Sequence, residues 1–190
     1  MTTTVLIADD EPALTNMYER WLSEYECLVA HGGSEATEIL DRRGDDIDVA
    51  LLDRRMPGRS GDEVLSDIEE RNVECRVAMI TAVAPSDDIV SMPFDDYVTK
   101  PVSAETIRGT VEALLERAEY ADVLDRYYTL AAKHAALTDE RSAAGLRESE
   151  AFAELEAELR EVERELTESA TFDDHEEFQS LLLEATRGAT

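Results

Sequence analysis

Residues 4–10 read TVLIADD, a strand-like run that ends in the adjacent carboxylates Asp9 and Asp10. Residues 47–53 read IDVALLD, a second apolar run that ends in Asp53. Strands that are almost entirely apolar are typical of parallel sheets, in which helices cover both faces. Ligands bind such open sheets beyond the carboxyl ends of the strands. These two runs therefore predict a parallel α/β sheet with an acidic cluster at one rim.

The rest of residues 1–118 alternates strand-like runs with amphipathic segments, which is the pattern of an α/β domain. The predicted strands cover residues 4–8, 27–30, 47–52, 76–80 and 96–99. Five helical segments with one apolar face accompany them, and the expected helix caps are Ser34, Ser60 and Ser103. We predict a doubly wound sheet of five parallel strands with right-handed crossovers.

Strand signals end at about residue 118, and the remainder of the chain is expected to be helical. Residues 118–138 predict one helix, and residues 139–145 hold the expected break. A coiled-coil-like stripe follows at spacings of three and four residues: Phe152, Leu155, Leu159, Val162 and Leu166. A last apolar segment lies at residues 178–183. Two helices separated by a short break usually fold back, so a first domain of residues 1–118 is predicted to precede a small all-α helical hairpin or coiled-coil module of residues 119–190.

The charge balance argues against a basic face that binds nucleic acid. The chain has 18 basic and 45 acidic residues, a net charge of −27, and the acidic excess is spread over both predicted domains. Binding to nucleic-acid phosphates needs clustered Lys and Arg, and the sequence holds no such cluster. Only Lys100 and Lys133 are lysines. Many Asp and Glu with few Lys indicate adaptation to strong salt, with an acidic interaction surface as the alternative.

Cysteine and hydropathy patterns narrow the class of protein further. Cys27 and Cys75 lack the spacing of metal ligands and lie near apolar residues, so we expect small buried side chains rather than a disulfide. The chain holds no apolar run of about 18 residues, and its first residues lack the basic segment of a signal peptide. We expect a cytoplasmic protein without a membrane anchor.

Five polar residues stand at the ends of the first, third, fourth and fifth predicted strands: Asp9, Asp10, Asp53, Thr81 and Lys100. Three carboxylates in one pocket repel each other unless a divalent cation neutralises them, and Mg2+ prefers such oxygen ligands. A carboxylate beside Mg2+ can attack phosphorus, while an ammonium and a hydroxyl hold the phosphoryl oxygens. Each residue alone has an ordinary explanation, such as a helix cap. The combination favours a site for phosphoryl transfer.

The sequence resembles the receiver domain of two-component response regulators over residues 4–118. The matching stretches are residues 6–11 (LIADDE), 51–58 (LLDRRMPG), 80–82 (ITA) and 96–101 (DYVTKP). The resemblance implies a flavodoxin-like fold and a phosphoryl group accepted from a sensor histidine kinase. It implies that Asp53 becomes the aspartyl phosphate. The Mg2+ ligands would be Asp10, Asp9 mainly through water, Asp53, and the backbone carbonyl of Arg55.

The same resemblance gives roles to residues on the fourth and fifth strands. Thr81 and Lys100 would assist at the acceptor as catalytic residues. Thr81 and Tyr97 fall on the switch positions, where the hydroxyl moves toward the phosphoryl group and the aromatic ring turns inward behind it. The Lys100–Pro101 peptide bond is typically cis in relatives.

Two features depart from the family pattern. The segment between Thr81 and Lys100 is short, and its Pro85 and Pro93 leave only about residues 86–92 for the fourth helix. Since that helix normally contributes to the output and dimer face, the family's dimer mode is not expected here. In addition, arginines occupy the two positions after Asp53, where residues tune the lifetime of the phosphoryl group in relatives.

The C-terminal module resembles the HalX domain appended to receivers in haloarchaeal regulators, over about residues 118–186. The match rests on residues 125–130 (DRYYTL) and 133–138 (KHAALT), followed by an acidic helix. We expect its apolar stripe to be buried by folding back, by homodimerisation or by a downstream protein partner. His134 is expected to be a surface helix residue rather than a phosphorelay histidine.

Two other functions stay open at this point. An Asp-nucleophile phosphatase or hydrolase uses the same type of sheet, but it usually carries a second acid/base carboxylate two residues after the nucleophile, where this chain has Arg55. A DNA-binding transcription regulator would use the C-terminal module, which shows no basic helix-turn-helix. We expect a phosphoacceptor that assists its own phosphorylation and dephosphorylation, not a turnover enzyme, with nucleic-acid and membrane partners disfavoured.

Overall fold

The computed structural model describes residues 2–85, 87–140, 146 and 149–169. Its elements follow in this order: β1 (Thr4–Ala8), α1 (Pro12–Trp21), β2 (Glu26–Ala30), α2 (Gly33–Arg43), a 3-10 turn (Gly44–Asp46), β3 (Val49–Leu52), α3 (Gly61–Glu70), β4 (Arg76–Thr81), a second 3-10 turn (Asp87–Ser91), β5 (Asp96–Thr99), α4 (Ala104–Glu140) and α5 (Glu150–Ser169). The predicted alternation of strands and helices over the first part of the chain is confirmed.

The five strands form one parallel sheet in the order β2-β1-β3-β4-β5. The flavodoxin-like, doubly wound arrangement is therefore confirmed. In the register of the sheet, Ala8 lies beside Leu52, and Ile80 lies beside Val98. The strand order reverses between β1 and β3, which is where sheets of this kind form a crevice beyond their carboxyl ends. Asp9 and Asp53 are the first residues after these two strands.

Two apolar layers cover the two faces of the sheet. Every residue of β1 and β3 is buried, as predicted for strands covered on both faces. Successive side chains alternate between the faces. Leu6 and Leu52 pack with residues of α2 and α3, whereas Ile7 and Leu51 pack with residues of α1 and the first turns of α4.

Two of the three predicted helix caps are confirmed. The Ser60 side chain accepts a hydrogen bond from the Glu63 amide, and the Glu63 carboxylate accepts from the Ser60 amide, so α3 begins with a capping box. The Ser103 hydroxyl accepts from the Thr106 amide at 3.1 Å before α4. The third prediction was wrong, because Ser34 lies inside α2 and Gly32 is the N-cap residue.

A tight packing contact accounts for the start of α2, which lies two residues before the one predicted from a Ser34 cap. The backbone of Gly33 lies against the loop after β3, where a Cβ atom would come within 2.1 Å of the Arg59 carbonyl oxygen. Only glycine fits at this contact. The helix therefore begins at Gly33, and Ser34 becomes its second residue.

The segment between β4 and β5 forms a 3-10 turn over Asp87–Ser91 in place of a full fourth helix. The sequence predicted a helix of about residues 86–92 at most. Pro85 and Pro93 confine it on both sides, because proline disfavours helical geometry in the residue before it and cannot donate a backbone hydrogen bond. Val90 in this turn is 86% exposed.

Helix α4 is continuous over 37 residues. The sequence predicted two helical segments, one at the end of the first domain and one over residues 118–138, and α4 joins them. After Gly109 the helix contains neither glycine nor proline, so nothing in its sequence interrupts it. The chain divides into two compact units, Met1–Arg117 and Ala118–Thr190, and the division lies within α4.

In the second unit, α4 and α5 pack side by side in opposite directions. Arg126 pairs with Glu165 near one end, and His134 lies 3.8 Å from Glu156 near the other. The predicted apolar stripe of α5 is confirmed, and its partners lie on α4: Val123, Tyr127 and Leu130. The predicted break and the apolar segment at residues 178–183 lie wholly or mostly outside the described residues.

His134 is half-buried between these two helices rather than free on their surface. Its ring stacks on Phe152, with ring centroids 5.2 Å apart. Cys27 and Cys75 are free thiols that pack at the edges of the two sheet cores, half-buried rather than fully buried. Among the described residues, no helix is both long and apolar enough to cross a lipid bilayer.

Candidate functional site

Three carboxylates meet at the carboxyl rim of the sheet. Asp9, Asp10 and Asp53 each offer an oxygen, and these oxygens lie within 4.8 Å of one another. Asp9 is 2% exposed and Asp53 is 8% exposed, while Asp10 is half-buried. The sequence prediction that these side chains converge agrees with this geometry.

Lys100 connects two of the carboxylates. Its Nζ atom lies 2.6 Å from Asp9 Oδ2 and 3.0 Å from Asp53 Oδ2. Burial is the largest influence on the pKa of Lys100 and lowers it, but the hydrogen bonds and charges of Asp9 and Asp53 together outweigh burial and raise it. Lys100 therefore remains an ammonium at neutral pH.

Backbone contacts hold Asp53 in place. Its amide donates to the Ala8 carbonyl at 2.8 Å, which ties the end of β3 to the end of β1. The backbone of Gly61, the first residue of α3, packs beneath it, where a Cβ atom would come within 2.1 Å of the Asp53 carbonyl oxygen. Gly61 was not predicted to be a site residue, although its position directly after the Ser60 cap is visible in the sequence.

Thr81 and Tyr97 lie on neighbouring strands and meet at the backbone of Val83. The Val83 amide donates to Thr81 Oγ1 at 3.3 Å, and the Tyr97 hydroxyl donates to the Val83 carbonyl at 2.9 Å. Thr81 is 1% exposed. The Lys100 amide donates to the Thr81 carbonyl at 2.8 Å, so the ends of β4 and β5 are joined at the site. No sequence signal pointed to Val83.

The loop after Asp53 is tied to α3 by ion pairs. Arg54 Nε lies 3.0 Å from Asp62 Oδ1, and Arg59 pairs with the buried Asp67. The Arg55 side chain is exposed, and its amide lies 3.4 Å from Asp53 Oδ1. Asp53 therefore sits at the start of a loop whose course is fixed at both ends. The Lys100–Pro101 peptide bond is cis, as the resemblance implied.

The donor set fits a divalent cation. Three carboxylates and one ammonium leave two negative charges without a counter-charge in a mostly buried cluster, and a doubly charged ion would neutralise them. All the side-chain donors are oxygens, which is the preference of Mg2+ rather than of zinc. Chemically, the arrangement offers a carboxylate nucleophile next to a fixed positive charge.

Comparison with known families matches both parts of the chain. Residues 5–112 match the response regulator receiver domain, and residues 116–182 match the HalX domain. These matches agree with the two resemblances stated from the sequence.

Several proteins are similar over part of their length. A Haloferax volcanii protein, described provisionally as a transcriptional regulator, is 45% identical over 163 residues, which are 85% of this chain and 27% of that protein. The transcriptional regulatory protein TrcR of Mycobacterium tuberculosis is 37% identical over 127 residues, which are 62% of this chain and 47% of TrcR. The chain thus spans about a quarter to a half of the length of these curated relatives.

Solved structures share the fold of the first unit. A signal receiver domain from Vibrio parahaemolyticus superposes with a TM-score of 0.60 at 23% identity, covering 65% of this chain and 98% of that one. The response regulator TrrA of Thermotoga maritima, solved in complex with Mg2+ and BeF, has a TM-score of 0.51 at 28% identity and covers 60% of this chain and all of its own. The receiver match covers more than half of the chain and the HalX match follows it directly, so the chain belongs to the response regulator family and carries a receiver domain followed by a HalX domain.

Proposed function

We propose that this response regulator accepts a phosphoryl group on Asp53 from a sensor histidine kinase. One observation carries the proposal: Asp53 shares the Lys100 ammonium with Asp9, and Asp10 completes the same cluster. A carboxylate that only capped a helix would not need a buried ammonium and two further carboxylates beside it.

In the proposed step, an oxygen of the Asp53 carboxylate forms a bond to phosphorus. The bond from phosphorus to the leaving nitrogen of the kinase histidine breaks, and that nitrogen keeps the electron pair. Lys100 holds one phosphoryl oxygen by its charge, and the Thr81 hydroxyl donates a hydrogen bond to another. Positioning and charge neutralisation are what such transfer mainly requires, because little other covalent chemistry is needed.

The acidic cluster is proposed to hold Mg2+ for this reaction. Its ligands would be Asp10, Asp9 through water, Asp53, and the backbone carbonyl of Arg55. When bound, Mg2+ neutralises negative charge on the phosphoryl oxygens. The protein's own contribution is the fixed loop after β3, which keeps Asp53 and Arg55 near each other.

The output is proposed to pass through Thr81 and Tyr97 to the C-terminal module. If the Thr81 hydroxyl turns toward a phosphoryl group on Asp53, it breaks its hydrogen bond with the Val83 amide. Because the Val83 carbonyl accepts the Tyr97 hydrogen bond, a shift of the Val83 backbone would then reach Tyr97. We propose that residues 1–118 act as the receiver and that residues 119–190 act as a HalX output module. A homodimer partner or a downstream protein would then respond to the change.

Phosphorylation is tested with acetyl phosphate and Mg2+ on the full chain. We expect intact mass to increase by one phosphoryl group in the wild type and in Asp45→Asn, an exposed carboxylate outside the site. We expect no increase in Asp53→Asn. Equal labelling of Asp53→Asn and the wild type would reject Asp53 as the acceptor.

The same preparation tests the coupling to the output. Oligomer size in solution is measured with and without beryllofluoride and Mg2+, for the full chain and for residues 1–118. A change in the full chain that Asp53→Asn does not show would support coupling. An unchanged size leaves a protein partner, rather than a second copy, as the proposed target of the output.

A role in transcription is the second candidate, because curated relatives are named transcriptional regulators. Those names belong to longer proteins, and this chain carries a net charge of −27. Direct contact with DNA phosphates is therefore disfavoured, and we propose that any effect on transcription acts through a protein partner. Retardation of duplex DNA by the phosphorylated chain at physiological salt would favour direct binding instead.

An enzymatic role is the third candidate and the weakest. A relative from Thermotoga maritima is named a cyclic di-GMP phosphodiesterase, but this chain covers only 29% of that protein. Arg55 occupies the position where a phosphatase of this type would carry its second carboxylate. Release of many equivalents of phosphate per chain from a small phosphate ester would support catalytic turnover.

A further inference from the structure

Tyr18 on α1 carries a buried hydroxyl group without a hydrogen-bond partner among the described residues. The residue is only 2% exposed, so water does not replace the missing partner at the protein surface. A buried hydroxyl that forms no hydrogen bond loses its hydration without compensation, and native proteins rarely keep such groups without a reason. The proposed phosphoacceptor mechanism does not use this residue.

The Tyr18 side chain lies on the face of the sheet that leads to the site. Tyr18 belongs to the same apolar cluster as Val5 and Ile7 of β1 and Leu51 of β3. Every second side chain along a strand lies on the same face of the sheet. Asp9 is two residues after Ile7, so its side chain is expected on the same face as those of Val5 and Ile7. Asp53 follows Leu51 in the same way.

Helix geometry directs the phenol toward the acidic rim. Helix α1 begins at Pro12, immediately after the acidic pair and Glu11, and Tyr18 lies in its second turn. Long side chains on a helix point back toward its N-terminus, which here is the carboxyl rim of the sheet. Burial is the main cause that raises the pKa of Tyr18, and the charges that act on it include Lys100 and Asp9.

The Asp9 carboxylate would lose a hydrogen-bond donor if Lys100 changed partners. Its Oδ1 atom accepts from the Glu11 amide at 2.9 Å, and its Oδ2 atom depends on Lys100. In the proposed function, Lys100 moves to a phosphoryl oxygen on Asp53. Asp9 would then keep a buried carboxylate that has lost its ammonium, with the Glu11 amide and the proposed Mg2+-bound water as its remaining donors. Another donor on the side away from the metal would compensate for the lost hydrogen bond.

We propose that Tyr18 is a positioning residue of the phosphoacceptor site, whose hydroxyl donates a hydrogen bond to Asp9 when Lys100 moves to the phosphoryl group. The inference rests on the proposed function, since it needs Lys100 to change partners. It explains why an unpaired hydroxyl is kept in the apolar layer behind the site. Tyr18 acts through Asp9 and does not touch the phosphoryl group itself.

The test compares Tyr18→Phe with the wild type in the presence of Mg2+ and beryllofluoride, which stands in for the phosphoryl group. Trp21, the only tryptophan of the chain, lies with its ring centroid 5.7 Å from that of Tyr18, so its fluorescence reports binding. We expect beryllofluoride affinity to fall about tenfold in Tyr18→Phe, because a hydrogen bond to a charged group is lost. Tyr25→Phe is the matched control and should bind as the wild type does.

A second measurement does not depend on affinity. With tyrosine rings labelled at the carbon that bears the hydroxyl, the NMR signal missing from Tyr18→Phe identifies Tyr18. We expect that signal to shift when Mg2+ and beryllofluoride are added together, because the hydroxyl becomes a hydrogen-bond donor. Before they are added, Tyr18→Phe should melt at the same temperature as the wild type or higher, since it removes an unpaired hydroxyl.

The outcomes separate this inference from the proposed function. If the wild type does not respond to beryllofluoride, the proposed function fails and the inference fails with it. If the wild type responds while Tyr18→Phe binds equally well and the Tyr18 signal does not move, only the inference is overturned. A lower melting temperature for Tyr18→Phe without added ligands, at unchanged affinity, would assign Tyr18 a purely structural role and would also overturn it.

Discussion

Thr81 and Tyr97 are joined through a single residue. Val83 donates its amide hydrogen to Thr81 Oγ1 at 3.3 Å and accepts the Tyr97 hydroxyl hydrogen at its carbonyl at 2.9 Å. The two side chains come from β4 and β5, which are neighbours in the sheet. Both hydrogen bonds end on Val83, so this residue links the two side chains, and in the proposed function a change at Thr81 would reach Tyr97 through it.

Tyr97→Phe should weaken this connection while keeping the aromatic ring. The ring still packs on Phe94, with ring centroids 5.5 Å apart in the wild type. We expect a loss of about 0.5–1.5 kcal/mol in the free energy of unfolding, the usual contribution of one hydrogen bond. Denaturant unfolding measures it. Tyr128→Phe, at a residue that is 59% exposed, is the control and should change stability by less than about 0.5 kcal/mol.

Lys100→Met should be strongly destabilising without Mg2+. The substitution leaves the carboxylates of Asp9 and Asp53 without their ammonium, and their side chains are 2% and 10% exposed. Removing one partner from a buried ion pair costs about 3–5 kcal/mol. Lys133→Met changes the only other lysine, which is exposed, and should have little effect on unfolding.

Magnesium should restore part of that loss. A ligand that binds only the folded state, present at a concentration about 100 times its Kd, raises the free energy of unfolding by about 2.7 kcal/mol. The unfolding experiment on Lys100→Met is therefore repeated with a series of Mg2+ concentrations. If Lys100→Met and Lys133→Met prove equally stable without Mg2+, the ammonium does not hold the acidic cluster together.

Gly61→Ala should distort the backbone of Asp53, the proposed phosphoacceptor. A Cβ atom at this position would meet the Asp53 carbonyl oxygen at 2.1 Å, so the start of α3 or the end of β3 must move. We expect a destabilisation above about 2 kcal/mol, as for other cases of overpacking, and slower phosphorylation. Gly109→Ala is the matched control, because nothing lies within 4 Å of its Cβ position in α4. That variant should gain about 0.5–1 kcal/mol. Equal unfolding midpoints of the two variants would contradict the steric argument.

Strand ends could be predicted from the sequence, and loop contacts could not. Asp9 and Asp53 follow apolar runs and Lys100 follows the fifth predicted strand, and parallel strands bring such positions to one rim whatever the loops do. The Val83 connection depends on how the backbone turns after β4, and no residue pattern records it.

Helix boundaries could likewise be predicted where neighbouring residues determine them, but not where contacts distant in the sequence do. The Ser60 capping box is local and was predicted from the sequence. Helix α2 begins at Gly33 instead of being capped by Ser34 because the Arg59 carbonyl packs against that glycine, and this contact is distant in sequence. The continuity of α4 follows from a stretch without Gly or Pro after Gly109, which is visible in the sequence, whereas the predicted domain boundary at residue 118 falls inside this helix.

Both cysteines should react slowly in the folded protein. Burial raises the pKa of Cys27 to about 11 and that of Cys75 to about 12. Because the thiolate is the reactive form, native Cys27 should react about 100-fold more slowly with iodoacetamide at pH 8 than in the urea-unfolded chain. Peptide mass spectrometry measures each rate. Fast labelling of either native thiol would contradict its burial.

The raised pKa values of the two thiols also predict how the free energy of unfolding changes with pH. Folding favours the protonated thiols, so their contribution is complete below the pKa of an unfolded cysteine, about 8.5. It declines as the pH rises above that value, because only the unfolded chain then gains thiolate. A Cys75→Ala variant should lose stability less steeply between about pH 9 and pH 11 than the wild type, as measured by denaturant unfolding.

The free energy of unfolding should rise with salt. A net charge of −27 spread along the chain makes the folded state repel itself, and ions screen that repulsion as the Debye length falls from about 8 Å at 0.15 M to about 3 Å at 1 M. Salt also weakens exposed ion pairs such as Arg42–Glu38, but each contributes only about 0–1 kcal/mol. The screening of repulsion should therefore outweigh the weakening of ion pairs. Urea denaturation at increasing KCl concentrations measures the net effect of the two on the free energy of unfolding. Glu154→Lys, at an exposed position on α5, should show a weaker salt dependence than Glu154→Gln, because it removes more of the repulsion. A free energy of unfolding that falls with KCl would mean that the ion pairs outweigh the repulsion and that the acidic residues serve an interaction surface instead.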